Sequence, residues 1–100
     1  AKVLRGLEKT IAAEEILRDT LLRRNLDPSL WFLLSEIQKD NLNVAGYHQS
    51  RAEYFILLGQ NERALNELQF ALKLSQDNFQ TFEIIMTKIN NLREKLNKRI

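Results

Sequence analysis

His48 is the only histidine among the 100 residues, and cysteine is absent. Zinc is held by three or four ligands drawn from His, Cys and carboxylates, so a solitary His48 reads as a helix-packing or hydrogen-bonding residue rather than a metal ligand. No His-Glu-x-x-His occurs anywhere in the chain. Ser35, Ser50 and Ser75 lack both the glycine elbow and the second histidine that would turn a hydroxyl into a nucleophile. Glu14-Glu15 and the pair Glu36 and Asp40 stand at helical spacings, which a solvated helix face explains better than a general acid–base pair. No glycine-rich phosphate loop is present. These residue types, so spaced, imply no catalytic constellation, no metal and no cofactor.

Charge narrows the partners. Arg18, Arg23 and Arg24 gather near one helix end, and Arg93, Lys95, Lys98 and Arg99 near another. Both groups suit the negative ends of helix dipoles. With 15 basic against 13 acidic residues the net charge is only +2, which argues against a nucleic-acid partner. Hydrophobic residues at 44% and charged ones at 28% fit an ordinary folded domain rather than a disordered chain. No apolar run approaches the roughly 18 residues needed to cross a bilayer, so no membrane insertion is expected. The chain begins at Ala1 rather than Met, as expected of a piece of a longer protein or a processed product.

Three glycines and one proline leave few sharp turns, which favours helices joined by short loops. Pro28 suits the first position of a helix, with Asp27 before it as the cap. Further short polar breaks fall at Asp40-Asn41, Gly59-Gln60-Asn61 and Gln76-Asp77-Asn78. The expected helices are therefore about 2–24, 28–39, 42–58, 61–75 and 79–98, with residues 2–9 either continuing the first helix or forming a separate turn. Ala64, Leu65, Leu68, Ala71 and Leu72 make one apolar stripe, as do Phe82, Ile85, Met86, Ile89, Leu92 and Leu96. The segments 28–39 and 42–58 are apolar on more than one face, as helices sandwiched between neighbours must be. Gly46, inside the third helix, points to close helix packing, since an interior glycine costs about 1 kcal/mol relative to alanine.

Small and large residues also alternate at repeat spacings. Ala52 and Phe55 precede the turn at Gly59, and Ala64, Leu68 and Ala71 follow it. These are the small, aromatic, glycine, small, large and small positions of a tetratricopeptide (TPR) repeat of about 34 residues. Small side chains belong where helices cross closely and large ones fill the gaps between crossings. Upstream, Trp31, Leu34 and Ser35 match the opening of such a repeat, while Gln38 and Leu42 replace the expected aromatic and turn glycine. The expected fold is all-α, an α-α superhelix of TPR-like helix-turn-helix repeats with a long C-terminal capping helix, in one domain spanning 1–100.

Residues 28–99 resemble the C-terminal TPR region of periplasmic HExxH zinc metalloproteases, the family of the β-barrel assembly-enhancing protease. The matching stretches are Tyr47-His48, Ala52-Glu53-Tyr54-Phe55, Leu58-Gly59, Ala64-Leu65, Leu68, Ala71-Leu72-Lys73 and Asn78-Phe79-Gln80. Tyr47 departs from the family's alanine and Arg51 from its small or apolar residue, and both alter the surface offered to a partner. The resemblance implies a periplasmic, non-catalytic protein-interaction module that recruits substrates or outer-membrane assembly partners to a protease domain elsewhere. A free-standing TPR adaptor without a protease is the alternative. Concave faces of such repeats bind peptides or proteins. The residues expected there are Phe32, Glu36, Lys39, Gln49, Glu53, Ile56 and Leu57, with burial against neighbouring helices the competing expectation for Phe32, Ile56, Leu57 and Trp31.

Overall fold

The computed structural model describes the backbone of residues 2–97 and the side chains of residues 11–97. Five helices account for it: α1 (Lys2–Arg23), α2 (Pro28–Asp40), α3 (Val44–Leu57), α4 (Asn61–Leu74) and α5 (Phe79–Asn97), with no strand among the described residues. Residues 2–9 continue α1. From α2 onward the helices start at residues 28, 44, 61 and 79, steps of 16, 17 and 18 residues. Each helix packs chiefly on the ones before and after it in sequence, α3 against α2 and α4 most extensively. The result is elongated, 55 × 30 × 19 Å, with a radius of gyration of 14.4 Å, against about 13 Å for a compact domain of this length.

Local chemistry sets the helix ends. Asp27 caps α2 by accepting from the Ser29 amide at 3.0 Å and from Ser29 Oγ at 2.6 Å, ahead of Pro28. Asn43 caps α3 by accepting from the Gly46 amide at 3.1 Å, and Asn78 caps α5 by accepting from the Thr81 amide at 3.2 Å. α3 starts at Val44, two residues after the expected 42, because Leu42 and Asn43 are consumed in the turn.

That turn is a twin of the next one. After α2, the Asn43 amide donates to the Gln38 carbonyl at 2.8 Å and the Leu42 amide to Lys39 at 3.1 Å. After α3, the Gln60 amide donates to Phe55 at 2.9 Å and the Gly59 amide to Ile56 at 3.0 Å. Both are Schellman closures, which place one residue in the left-handed region. Gly59 takes φ +78° there and Leu42 takes φ +61°. Leucine thus occupies the conformation that glycine adopts without strain.

Apolar packing divides into two clusters. The larger joins α3, α4 and α5 through Ala52, Phe55, Ala64, Leu68, Ala71, Ile85, Ile89 and Leu92, all buried. Ala52, Ala64 and Ala71 have no exposed surface: a larger side chain at any of them would hold the helices apart. The smaller cluster, Leu17, Leu21 and Leu34, joins α1 to α2. Between the two lies a polar seam rather than more apolar packing.

Candidate functional site: a groove over helix α3

The seam centres on Gln38, which is buried. With its amide nitrogen toward α3, it donates to Ser50 Oγ and to the Gly46 carbonyl at 2.8 Å, while its oxygen accepts from Arg18 of α1 at 3.2 Å. Glycine at 46 makes room: a Cβ there would stand 2.7 Å from the Gln38 side-chain amide and 2.5 Å from Asn43 Nδ2. Asn43 reaches on to Glu14 Oε1 at 3.4 Å, and Glu14 pairs loosely with Arg18 at 3.9 Å. Satisfied hydrogen bonds at a buried amide cost little, whereas orphaning one costs about 1–3 kcal/mol. The seam therefore fixes how α1, α2 and α3 sit together.

Above the seam opens a groove of about 770 Å³. Its floor is α3, through Gly46, Gln49, Ser50 and Glu53; α1 contributes Arg18, Leu21 and Leu22, and α5 contributes Thr81, Ile84 and Lys88. Trp31, Leu34 and Gln38 of α2, Leu74 at the end of α4 and the α4–α5 turn add to the lining. Lys88 Nζ donates to Glu53 Oε1 at 2.7 Å, tying α5 to α3. Leu22, Leu74 and Ile84 line the groove while 84%, 53% and 55% exposed, so its rim is apolar and open to solvent. The volume lies within the roughly 300–1,000 Å³ range of ligand pockets.

Of the residues expected on a binding face, the structure brings Gln49 and Glu53 into this groove. Phe32, Glu36 and Lys39 lie on α2 and Ile56 and Leu57 late in α3, and none of these five lines it. Phe32 is half exposed, its ring 5.5 Å from Tyr54. Ile56 is partly buried against the larger cluster, and Leu57 is partly buried. Trp31 is also partly buried, packs against the smaller cluster and donates from its indole to the Asn25 carbonyl at 2.8 Å. With α3 counted as second helix of one pair and first helix of the next, the expected face combines Phe32 and Glu36 of α2 with Gln49 and Glu53 of α3; the groove instead draws Arg18 and Leu22 from α1 and Ile84 and Lys88 from α5.

His48 lies outside the groove, on the α3–α4 contact. Its Nδ1 meets Glu67 Oε2 at 2.5 Å, and its ring stacks on Phe70. Arg51 Nε donates to the other Glu67 oxygen at 3.2 Å, and its Nη1 donates to Tyr47 Oη at 2.8 Å. Burial pulls the Arg51 guanidinium down, but the Tyr47 hydrogen bond and the Glu67 charge outweigh it and hold the group above its ordinary value. This arrangement clamps two helices. Ser35 Oγ donates to the Phe32 carbonyl, Ser50 pairs with Gln38, and Ser75 is buried. Among the described residues no group of three or more His, Cys, Asp and Glu side chains could hold a metal, and no helix is long and apolar enough to cross a membrane. In the basic groups, Arg18 pairs with Glu14, and Arg23, Arg24, Arg93 and Lys95 are exposed. Lys98 and Arg99 lie outside the described residues.

No family model, curated protein or solved structure matches the chain.

Proposed function

We propose that the chain is a non-catalytic, TPR-like protein-interaction module that takes a peptide segment of its partner in the groove over α3. The observation that carries this is the groove itself: polar along its α3 floor, apolar at its rim and open to solvent. The repeat pattern adds support, since Ala52, Phe55, Ala64, Leu68 and Ala71 form the core at the expected small and large positions and Gly59 makes the turn. Helix steps of 16 to 18 residues fit a two-helix repeat of about 34. On this reading the chain is an α-α superhelix, with α5 as its capping helix.

The resemblance to the TPR region of periplasmic metalloproteases supports a further proposal: the module serves a protease domain on the same polypeptide, in the periplasm, by recruiting substrates or outer-membrane assembly partners. A signal peptide and a His-Glu-x-x-His motif encoded upstream in the same reading frame would bear this out. A start codon directly before the first helix, or helical repeats alone, would leave a free-standing adaptor. The groove is tested separately by amide chemical shifts on adding a partner-derived peptide. Gln49→Ala and Ile84→Ala should weaken binding at unchanged helicity, while Glu36→Ala on α2 should not. Loss of binding on Glu36→Ala alone would move the site to α2.

A further inference from the structure

The charged groups of the groove are almost all spoken for. Lys88 is paired with Glu53 at 2.7 Å, and Arg18 is shared between Glu14 and the Gln38 amide. Asp77, exposed in the α4–α5 turn, lines the groove with no side-chain ion pair or hydrogen bond among the described residues. Gln49 offers its carboxamide from the floor, likewise without a side-chain hydrogen bond among the described residues. Around these stand the exposed Leu22, Leu74 and Ile84, from three different helices.

A cation already paired with a carboxylate gains little from a second one, because the newcomer displaces an existing partner and is repelled by it. Among the described lining residues, each cation therefore already has a carboxylate partner, loosely at Arg18, and Asp77 is the unpaired charge. Apolar side chains gain wherever they cover the leucine and isoleucine rim, at about 25 cal/mol per Å² removed from water. Building on the groove reading above, we infer that the groove selects aliphatic, non-acidic peptide segments carrying a single basic residue that meets Asp77. Gln49 serves their main chain as both donor and acceptor, without regard to side-chain charge.

The test is selection of a random dodecapeptide display library on the whole chain, with parallel selection on Ile84→Asp. Ile84 is 55% exposed, so the substitution puts charge on the rim and leaves the core alone. Enriched peptides should be rich in Leu, Ile and Val, poor in Asp and Glu, and carry one Lys or Arg. The best of them, synthesised, should bind Asp77→Asn about 2- to 5-fold more weakly, the range of an exposed ion pair, and should lose most affinity for Ile84→Asp. Enrichment of acidic peptides that still depend on Ile84 would overturn the inference and leave the groove reading standing. Peptides enriched equally on the chain and on Ile84→Asp, or no enrichment at all, would overturn both.

Discussion

Leu42→Gly should make the protein more stable, although it deletes a leucine. The Leu42 backbone sits at φ +61° and closes α2 through the same pair of hydrogen bonds with which Gly59 closes α3. For an L-residue the left-handed region costs about 1–2 kcal/mol. Glycine removes that cost but loses about 0.4–1 kcal/mol through its freer unfolded chain. The leucine side chain is 85% exposed, so deleting it forfeits little burial. The balance is a gain of about 0.5–1 kcal/mol, or roughly 2–8 °C in midpoint for a domain of this size. Chemical and thermal denaturation followed by helical circular dichroism would measure it.

Two companions isolate the backbone term. Leu42→Ala keeps the strained φ and should be close to neutral. Gly59→Ala should cost about 0.5–1 kcal/mol by the same balance, all of it conformational, because no described atom beyond the adjacent residues lies within 4 Å of a Cβ built there. If Leu42→Gly destabilises while Gly59→Ala costs what is expected, the leucine side chain contributes packing that its exposure denies. If neither changes the midpoint, the two turns are not formed as described.

Other substitutions probe the core, the seam and a cap. Leu68→Ala empties a site with no solvent exposure between α3, α4 and α5, and should lower stability by about 2–5 kcal/mol in denaturant titration. Gly46→Ala gains about 1 kcal/mol of helix propensity, yet its methyl displaces the Gln38 and Asn43 amides; the net loss should be about 1–2 kcal/mol. Gln38→Ala in the same chain should recover part of that loss in a double-mutant cycle. The Ser29 hydroxyl and amide hydrogen bonds hold the Asp27 carboxyl below its ordinary 3.8. Its contribution is thus present above that value and lost as pH falls through the depressed folded one. The stability difference between the wild type and Asp27→Ala should be constant from neutral pH to about 5 and close at lower pH. A difference unchanged at pH 2 would contradict the cap.

The helices were legible because their ends are marked by residues with one local job. Asp27 with Pro28, Gly59, and the polar run before Phe79 act through their own backbone, so no tertiary knowledge is needed to place them. Ala52, Ala64 and Ala71 were legible as crossing points for a similar reason: spacing alone sets them on facing stripes. The seam was not. Gln38 stands where the repeat pattern wants an aromatic, and only its neighbours in space, Arg18 and Ser50, show that the amide is satisfied there. Leu42 marks the opposite case, a turn set by the hydrogen bonds around it and not by the residue within it. The groove was half legible: Gln49 and Glu53 follow from α3, but Leu22 and Ile84 enter from helices far apart in sequence.

The polar seam explains why the groove has a defined shape. An all-apolar junction between the two clusters would tolerate sliding of α1 and α2 along α3, because dispersion and burial are non-directional. A buried amide is not tolerant. Moving Gln38 by one residue along α3 would break its bonds to Ser50 Oγ and the Gly46 carbonyl and leave the amide orphaned, at about 1–3 kcal/mol. Arg18 is held by that same amide, so the wall of the groove formed by α1 is placed by the same bonds. The opposite wall, α5, is placed by the buried cluster it shares with α3 and α4, with Lys88 on Glu53 at its edge. Both walls are thus referenced to α3, α1 through the Gln38 hydrogen bonds at residues 46 and 50 and α5 through apolar burial and the ion pair at Glu53, and not by the packing of α1 against α5.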